Sequence, residues 1–157
     1  MSSYPKISIA IVTFNRVQFL AEAIKSAIQQ DLPAAEILIV NDGSTDGTNS
    51  YLQELNHPLL KIINHTQNQG RAAARNTAVK NFSGDYLLWL DDDDFLEPNA
   101  LSSHLQIISE HPEADIIYGN LIQCDQNLLP QKELYFQKYN HNEIVTRLLF
   151  EDIFPQG

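Results

Sequence analysis

The chain has 157 residues, 43% of them hydrophobic, with 10 basic and 20 acidic side chains and a formal charge of −10. That length predicts one domain, residues 1–157, with a sizeable core. The composition argues against disorder, and the acidity argues against nucleic acid as a partner, since phosphate binding needs clustered Lys and Arg. One cysteine, Cys124, rules out an internal disulfide and reads as a small buried residue in a reducing, cytoplasmic setting.

The opening MSSYPKISIAIVTF has an apolar run too short to span a membrane, and no small-residue cleavage site follows it. No transmembrane helix is expected anywhere, while peripheral attachment to a membrane's inner face stays open. Lys6–Phe14 is apolar on both faces, as a buried parallel strand should be. Val17, Leu20, Ala21, Ile24, Ala27 and Ile28 then follow helical spacing. Glu36–Val40 reads as a second strand, NDGSTDG as a turn-rich loop, Thr48–Leu55 as a short helix and Leu59–Asn64 as a third strand. Arg71–Asn81 is an alanine-rich helix behind Gly70. Asp85–Leu90 reads as a fourth, central strand, and Glu97–Glu110 as a helix with Pro98 in its first turn. Asp115–Tyr118 is expected as a fifth strand continuing past Gly119 into Asn120–Cys124, and Asn142–Phe150 as a last helix.

Alternating strands and helices predict an α/β fold with an open, mostly parallel sheet. Ligands of such sheets bind beyond the carboxyl ends of the strands, which selects the loops Thr13–Arg16, Asn41–Asp46 and Asp91–Asp94. The run Asp91, Asp92, Asp93, Asp94 leaves its strand directly. In extended backbone Asp91 and Asp93 share one side, roughly 7 Å apart. Two such charges repel by about 2 kcal/mol at an effective dielectric near 20. A divalent ion with oxygen ligands, Mg²⁺ or Mn²⁺, would offset that repulsion and bind a diphosphate through its open positions. The competing reading is a solvated acidic loop with Asp94 capping the next helix.

Asp42 ends the second strand at the same rim, where a carboxylate can accept a hydrogen bond from a base imide. Asp46 or Thr48 suits a helix cap. Arg71 and Arg75 lie four apart near a helix N-terminus, which favours an anion or an acidic partner for each. The five histidines show no metal spacing and read as surface residues. No GxSxG, GxxxxGK[ST] or GxGxxG motif occurs, which removes the common hydrolase, P-loop and dinucleotide readings.

Together ISIAIVTFNR, EILIVNDGSTDGT, NQGRAAARNTA and GDYLLWLDDDD, in that order over residues 5 to 120, resemble a family 2 glycosyltransferase of the inverting GT-A class. The resemblance implies a nucleotide-diphospho-sugar donor of UDP or GDP type and transfer to an acceptor hydroxyl on a glycan, lipid-linked or protein acceptor, in polysaccharide or cell-envelope glycan synthesis. It implies that the backbone around Val12 and Thr13, together with Asp42, holds the nucleobase, and that Asn15 also binds the nucleotide-sugar. Arg71 and Arg75 would lie near base or phosphates. Asp91 and Asp92 would serve the sugar-nucleotide, and Asp93, with Asp91 as an alternative, would bind the metal.

Two departures stand out. Asn41 replaces the first aspartate of the usual Asp-Asp-Gly-Ser, and members are commonly about twice this long. Their general base comes from the second half, so the chain is expected to be truncated at its C-terminus and the base to lie beyond Gly157, with Glu151 and Asp152 as weak candidates. A nucleotide-sugar-binding module without catalysis is the alternative. A receiver-like phosphoacceptor fits poorly, because TFNR rather than paired acids follows the first strand.

Overall fold

A computed structural model describes residues 5–135. They fall into two compact units, one ending at Glu113 and the other beginning at Ala114. The first unit alternates β1 (Ile7–Thr13), α1 (Val17–Ile28), β2 (Glu36–Asn41), α2 (Thr48–Glu54), β3 (Leu60–Asn64), α3 (Arg71–Asn81), β4 (Tyr86–Asp91) and α4 (Ala100–Glu110). The strands form one sheet in the order β3-β2-β1-β4, every pair parallel. The expected α/β architecture is present.

Burial explains the order. β1 and β2 lie inside the sheet and are buried along nearly their whole length, as their two-faced apolar runs require. On one face Ala10, Leu38 and Val40 pack against Ala74 and Ala78 of α3, with Val12, Ile63, Phe82 and Leu87 around them. Two alanines four apart let that helix lie close to the strands. On the other face Ile9, Ile11, Ile37 and Ile39 are wholly enclosed. Burying each such side chain stabilises the fold by about 1.5–3 kcal/mol.

Three sequence expectations change. β4 is an edge strand among the described residues, not a central one, and its Trp89 is 40% exposed. α4 starts at Ala100 rather than Glu97, because nearby carbonyls are used elsewhere. Glu97 O accepts from Gln30 Nε2 at 2.9 Å, and Pro98 O accepts from the Asp31 amide at 2.9 Å. The third change is in the second unit. No strand forms at Asp115–Tyr118, where Ile116 is largely exposed. Instead β5 (Leu121–Cys124) pairs antiparallel with β6 (Pro130–Leu134). The Asp125 carboxylate makes that turn, accepting from the Asn127 and Leu129 amides at 2.8 and 3.0 Å. Cys124 is half-buried rather than enclosed.

The helix expected at Asn142–Phe150, with Glu151 and Asp152, lies outside the described residues. No helix among the described residues is long and apolar enough to cross a membrane.

Candidate donor-binding site

The chain builds β1, β2 and β3 outward in one direction and then returns to lay β4 on the other side of β1. The connections therefore diverge between β1 and β4, and a crevice opens beyond their carboxyl ends. Register places Val12 beside Asp91 across that divide, and Thr13 beside Asn41 on the other flank. Val12, Thr13, Asn15, Asp42, Asp91, Asp92 and Asp93 all follow from this arrangement at one rim, and α3 brings Arg75 to it.

The loops after β1 and β2 are tied to each other. Asn15 adopts a left-handed conformation with φ 54°, which asparagine tolerates better than most residues. There its Oδ1 accepts from the Thr45 amide at 2.7 Å and its own amide donates to Ser44 Oγ at 2.9 Å. Asn41 accepts from the Ser44 amide at 3.1 Å and donates to Asn64 Oδ1 at 2.9 Å. Asn41 therefore holds the loop through a side-chain amide in place of a carboxylate. Asp46 bonds the Thr48 amide at 3.0 Å and the Val17 amide at 3.1 Å, serving the first residues of both α2 and α1.

Asp42 is 2% exposed and fully engaged. Its Oδ1 meets His65 Nδ1 at 2.6 Å and the Gln69 amide at 3.0 Å, and its Oδ2 accepts from the Gly70 amide at 2.8 Å. His65 Nε2 in turn lies 2.9 Å from Thr77 Oγ1 on α3. Burial pushes the Asp42 carboxyl up, but the Gln69 amide, His65 and the Gly70 amide together hold it below the usual carboxylate range. His65 is thus a buried link between β3, the loop after β2 and α3, not a surface residue.

Gly43 sits against the same segment with φ 72°, and an added Cβ would lie 2.4 Å from the Gln67 carbonyl carbon and 2.6 Å from the Asn68 amide nitrogen. Both neighbours are backbone. Gly43→Ala is therefore expected to cost about 2 kcal/mol or more through strain and displaced backbone, measured as a lower urea midpoint. An unchanged midpoint would refute that contact.

The aspartates turn rather than run on. Asp91 ends β4 and the Asp94 amide donates to the Asp91 carbonyl at 3.1 Å. The alternating directions expected of extended backbone therefore do not hold past Asp91. Each acid acquires its own setting. Asp91 is exposed and takes Arg75 Nη2 at 3.1 Å, while the Arg75 guanidinium lies 5.4 Å from the centre of the Trp89 ring. Asp92 is 7% exposed. Burial raises its carboxyl above the ordinary range, with Asp93 and Asp91 adding to the rise and the Thr13 hydroxyl and Arg16 opposing it. Burial and then Asp93, Asp91 and Asp92 raise Asp94 similarly. Asp93 is half-exposed and paired with Arg16, whose Nη1 also lies 3.6 Å from Asp92 Oδ1. Arg71, the first residue of α3, is exposed.

Thr13 Oγ1 is buried beside the Asp92 carboxylate and helps to stabilise its charged form, without a fully formed hydrogen bond. It is the only buried side-chain polar atom among the described residues without a partner. No three His, Cys, Asp or Glu side chains converge as a closed metal cage among those residues. The donor set instead fits an ion shared with a ligand. Mg²⁺ and Mn²⁺ bind hard oxygens, and Mg²⁺ in phosphate sites typically takes one or two carboxylates, with phosphate and water supplying the rest. Asp91 and Asp93 offer such oxygens at the surface of the crevice.

Sequence reasoning placed Arg16 on the rim without giving it a role, and it read His65 as a surface residue. Arg16 lay inside a selected loop, and His65 directly follows β3 on the same rim, so position alone was the available signal.

Comparison with known proteins agrees with this geometry. Residues 8–154 match the family described as Glycosyl transferase family 2. The putative colanic acid biosynthesis glycosyl transferase WcaA of Escherichia coli is 37% identical over 142 residues, covering 87% of this chain and 48% of that protein. The structure of S. aureus TarS in complex with UDP-GlcNAc superposes with a TM-score of 0.64 at 31% identity, over 68% of this chain and 32% of that one. The mannosyltransferase PcManGT from Pyrobaculum calidifontis, in complex with GDP-Man and Mn²⁺, gives 0.59 at 27% identity, over 68% and 32%. The chain spans less than half the length of the curated relatives it matches.

Proposed function

The chain belongs to glycosyl transferase family 2, and from that premise we propose that it binds a UDP- or GDP-sugar in the crevice between β1 and β4 as the donor side of an inverting glycosyltransferase in cell-envelope polysaccharide synthesis. The observation carrying this reading is the meeting of Arg16, Arg75, Thr13 and Asp91–Asp93 at one rim, from three elements far apart in sequence. The relationship to WcaA supports the polysaccharide context.

In this reading Val12, Thr13 and Asn15 form the floor on the nucleobase side. Asp42 shapes that side through the Gln69 and Gly70 amides that it holds. Arg75, with Arg71 one turn before it, faces the anionic part of the donor. Asp91 and Asp92 border the sugar-nucleotide, and Asp93 holds the ion, with Asp91 as its alternative. A bound Mg²⁺ or Mn²⁺ would neutralise charge that develops on the departing nucleoside diphosphate. An acceptor hydroxyl, on a glycan, lipid or protein, needs a base to take its proton as it attacks the anomeric carbon. That base is assigned outside the described residues. A cytoplasmic protein, peripheral at the membrane's inner face, suits a nucleotide-sugar donor.

Calorimetric titration with UDP and GDP, with and without Mn²⁺, tests the proposal. One of the two nucleotides is expected to bind, with affinity rising at least about tenfold when Mn²⁺ is present. Absence of metal-dependent binding of either nucleotide to the folded protein would defeat it.

A further inference from the structure

Arg16 is placed where a helix least favours a cation. It is the residue from which α1 starts, and its carbonyl accepts from the Phe19 and Leu20 amides, so its charge stands at the positive end of the helix dipole. Its guanidinium nevertheless reaches across the crevice from the loop after β1 to the turn after β4. There it pairs with Asp93 and approaches Asp92 at 3.6 Å. The side chain is 42% exposed, so the pair is open to solvent and exchangeable. The buried Thr13 hydroxyl lies beside the Asp92 carboxylate. The acids are thus balanced by a side chain that is itself only loosely held, in the place where an ion and a diphosphate are both expected.

Resting on the donor-site reading above, we infer that Arg16 is an exchangeable counter-cation: it neutralises Asp92 and Asp93 in the free protein, yields Asp93 to a divalent ion, and then pairs with an anionic oxygen of the donor's diphosphate. The chemistry makes the two ligands interdependent. A divalent ion alone must displace a guanidinium that has nowhere favourable to go. An ion arriving with a diphosphate gives that guanidinium a new anion. Arg16 thereby links metal affinity to donor affinity, and linkage requires the effect to be the same in both directions.

The test is Mn²⁺ binding, followed by the electron paramagnetic resonance signal of free Mn²⁺, for the wild type, Arg16→Gln, Arg16→Lys and Asp93→Asn, each with and without UDP and GDP. Arg16→Gln is expected to bind Mn²⁺ alone about tenfold more tightly, the scale of removing one charge some 5 Å from a divalent ion in water. The gain in Mn²⁺ affinity on adding nucleotide should shrink in the same variant. Arg16→Lys keeps the charge without the planar fork and should fall between them. If the wild type binds Mn²⁺ with nucleotide but Arg16→Gln leaves both quantities unchanged, the role of Arg16 is overturned while the donor site stands. If the wild type binds no Mn²⁺ with either nucleotide, the donor-site reading fails and this inference fails with it. Thermal melting of each variant reports folding independently.

Discussion

Asp93→Asn is expected to weaken Mn²⁺-dependent binding of UDP or GDP by roughly 100-fold while leaving the melting temperature nearly unchanged. The two outcomes separate because Asp93 is half-exposed and, among the described residues, its side chain pairs with Arg16. An exposed ion pair contributes about 0–1 kcal/mol to stability, so the fold loses little. Asparagine keeps the shape and one oxygen but removes the charge that attracts a hard cation and holds the guanidinium. Loss of nucleotide binding equally in the absence of Mn²⁺ would point instead to a general disturbance of the crevice. Undiminished affinity would remove Asp93 from the site.

Asp42→Ala should act in the opposite manner, on the fold first. Its carboxylate joins His65 and the Gln69 and Gly70 amides in a buried setting, and alanine leaves His65 Nδ1 and the Gln69 amide without that acceptor, while the Gly70 amide keeps only Asn68 Oδ1. The expected loss is about 3 kcal/mol of unfolding free energy, read from urea denaturation. The pH dependence provides a second signature. Because the folded Asp42 carboxyl is held below its ordinary value of about 3.9, its contribution is complete above that value. It disappears as pH falls through the lower folded value. In Asp42→Ala the acid-side loss should be smaller, with Glu36 and Asp46, also held low in the folded protein, supplying what remains. Asp92 and Asp94 work the other way, since both are raised in the folded protein. Stability should therefore rise as pH falls from neutrality toward their folded values, before Asp42 reverses the trend. A wild-type stability that falls monotonically from pH 7 to 3 would contradict these environments.

The sheet was legible because its information is local. Two-faced apolar runs identified β1 and β2, and α3 occupies Arg71–Asn81 as expected, between Gly70 and the extended Phe82. The loops at the rim were legible for the same reason, since parallel order alone directs them to one edge. What escaped depends on contacts between distant residues. Asp42 finds His65 across 23 positions and Arg16 finds Asp93 across 77, and no pattern within a segment encodes either pairing. The turn at Asp91–Asp94 escaped because four identical side chains carry no signal of a backbone reversal. In the second unit the strand at Leu121–Cys124 was legible, but its hairpin partner was not, and the expected strand at Asp115–Tyr118 failed because a four-residue apolar run such as DIIY suits several structures. CDQNLLP, with its turn-forming Asp125, held the better clue to a hairpin.

Asn15, Asn41, Asp42 and Asp46 lash the loops after β1, β2 and β3 together through hydrogen bonds of the chain itself. The disorder that such loops would otherwise surrender on meeting a guest has already been surrendered at folding. The exposed guanidinium contacts, Arg16 with Asp93 and Arg75 with Asp91, remain open to rearrangement. For the donor site proposed above, binding becomes an exchange of partners on loops already tied together, and its entropy cost should be correspondingly small.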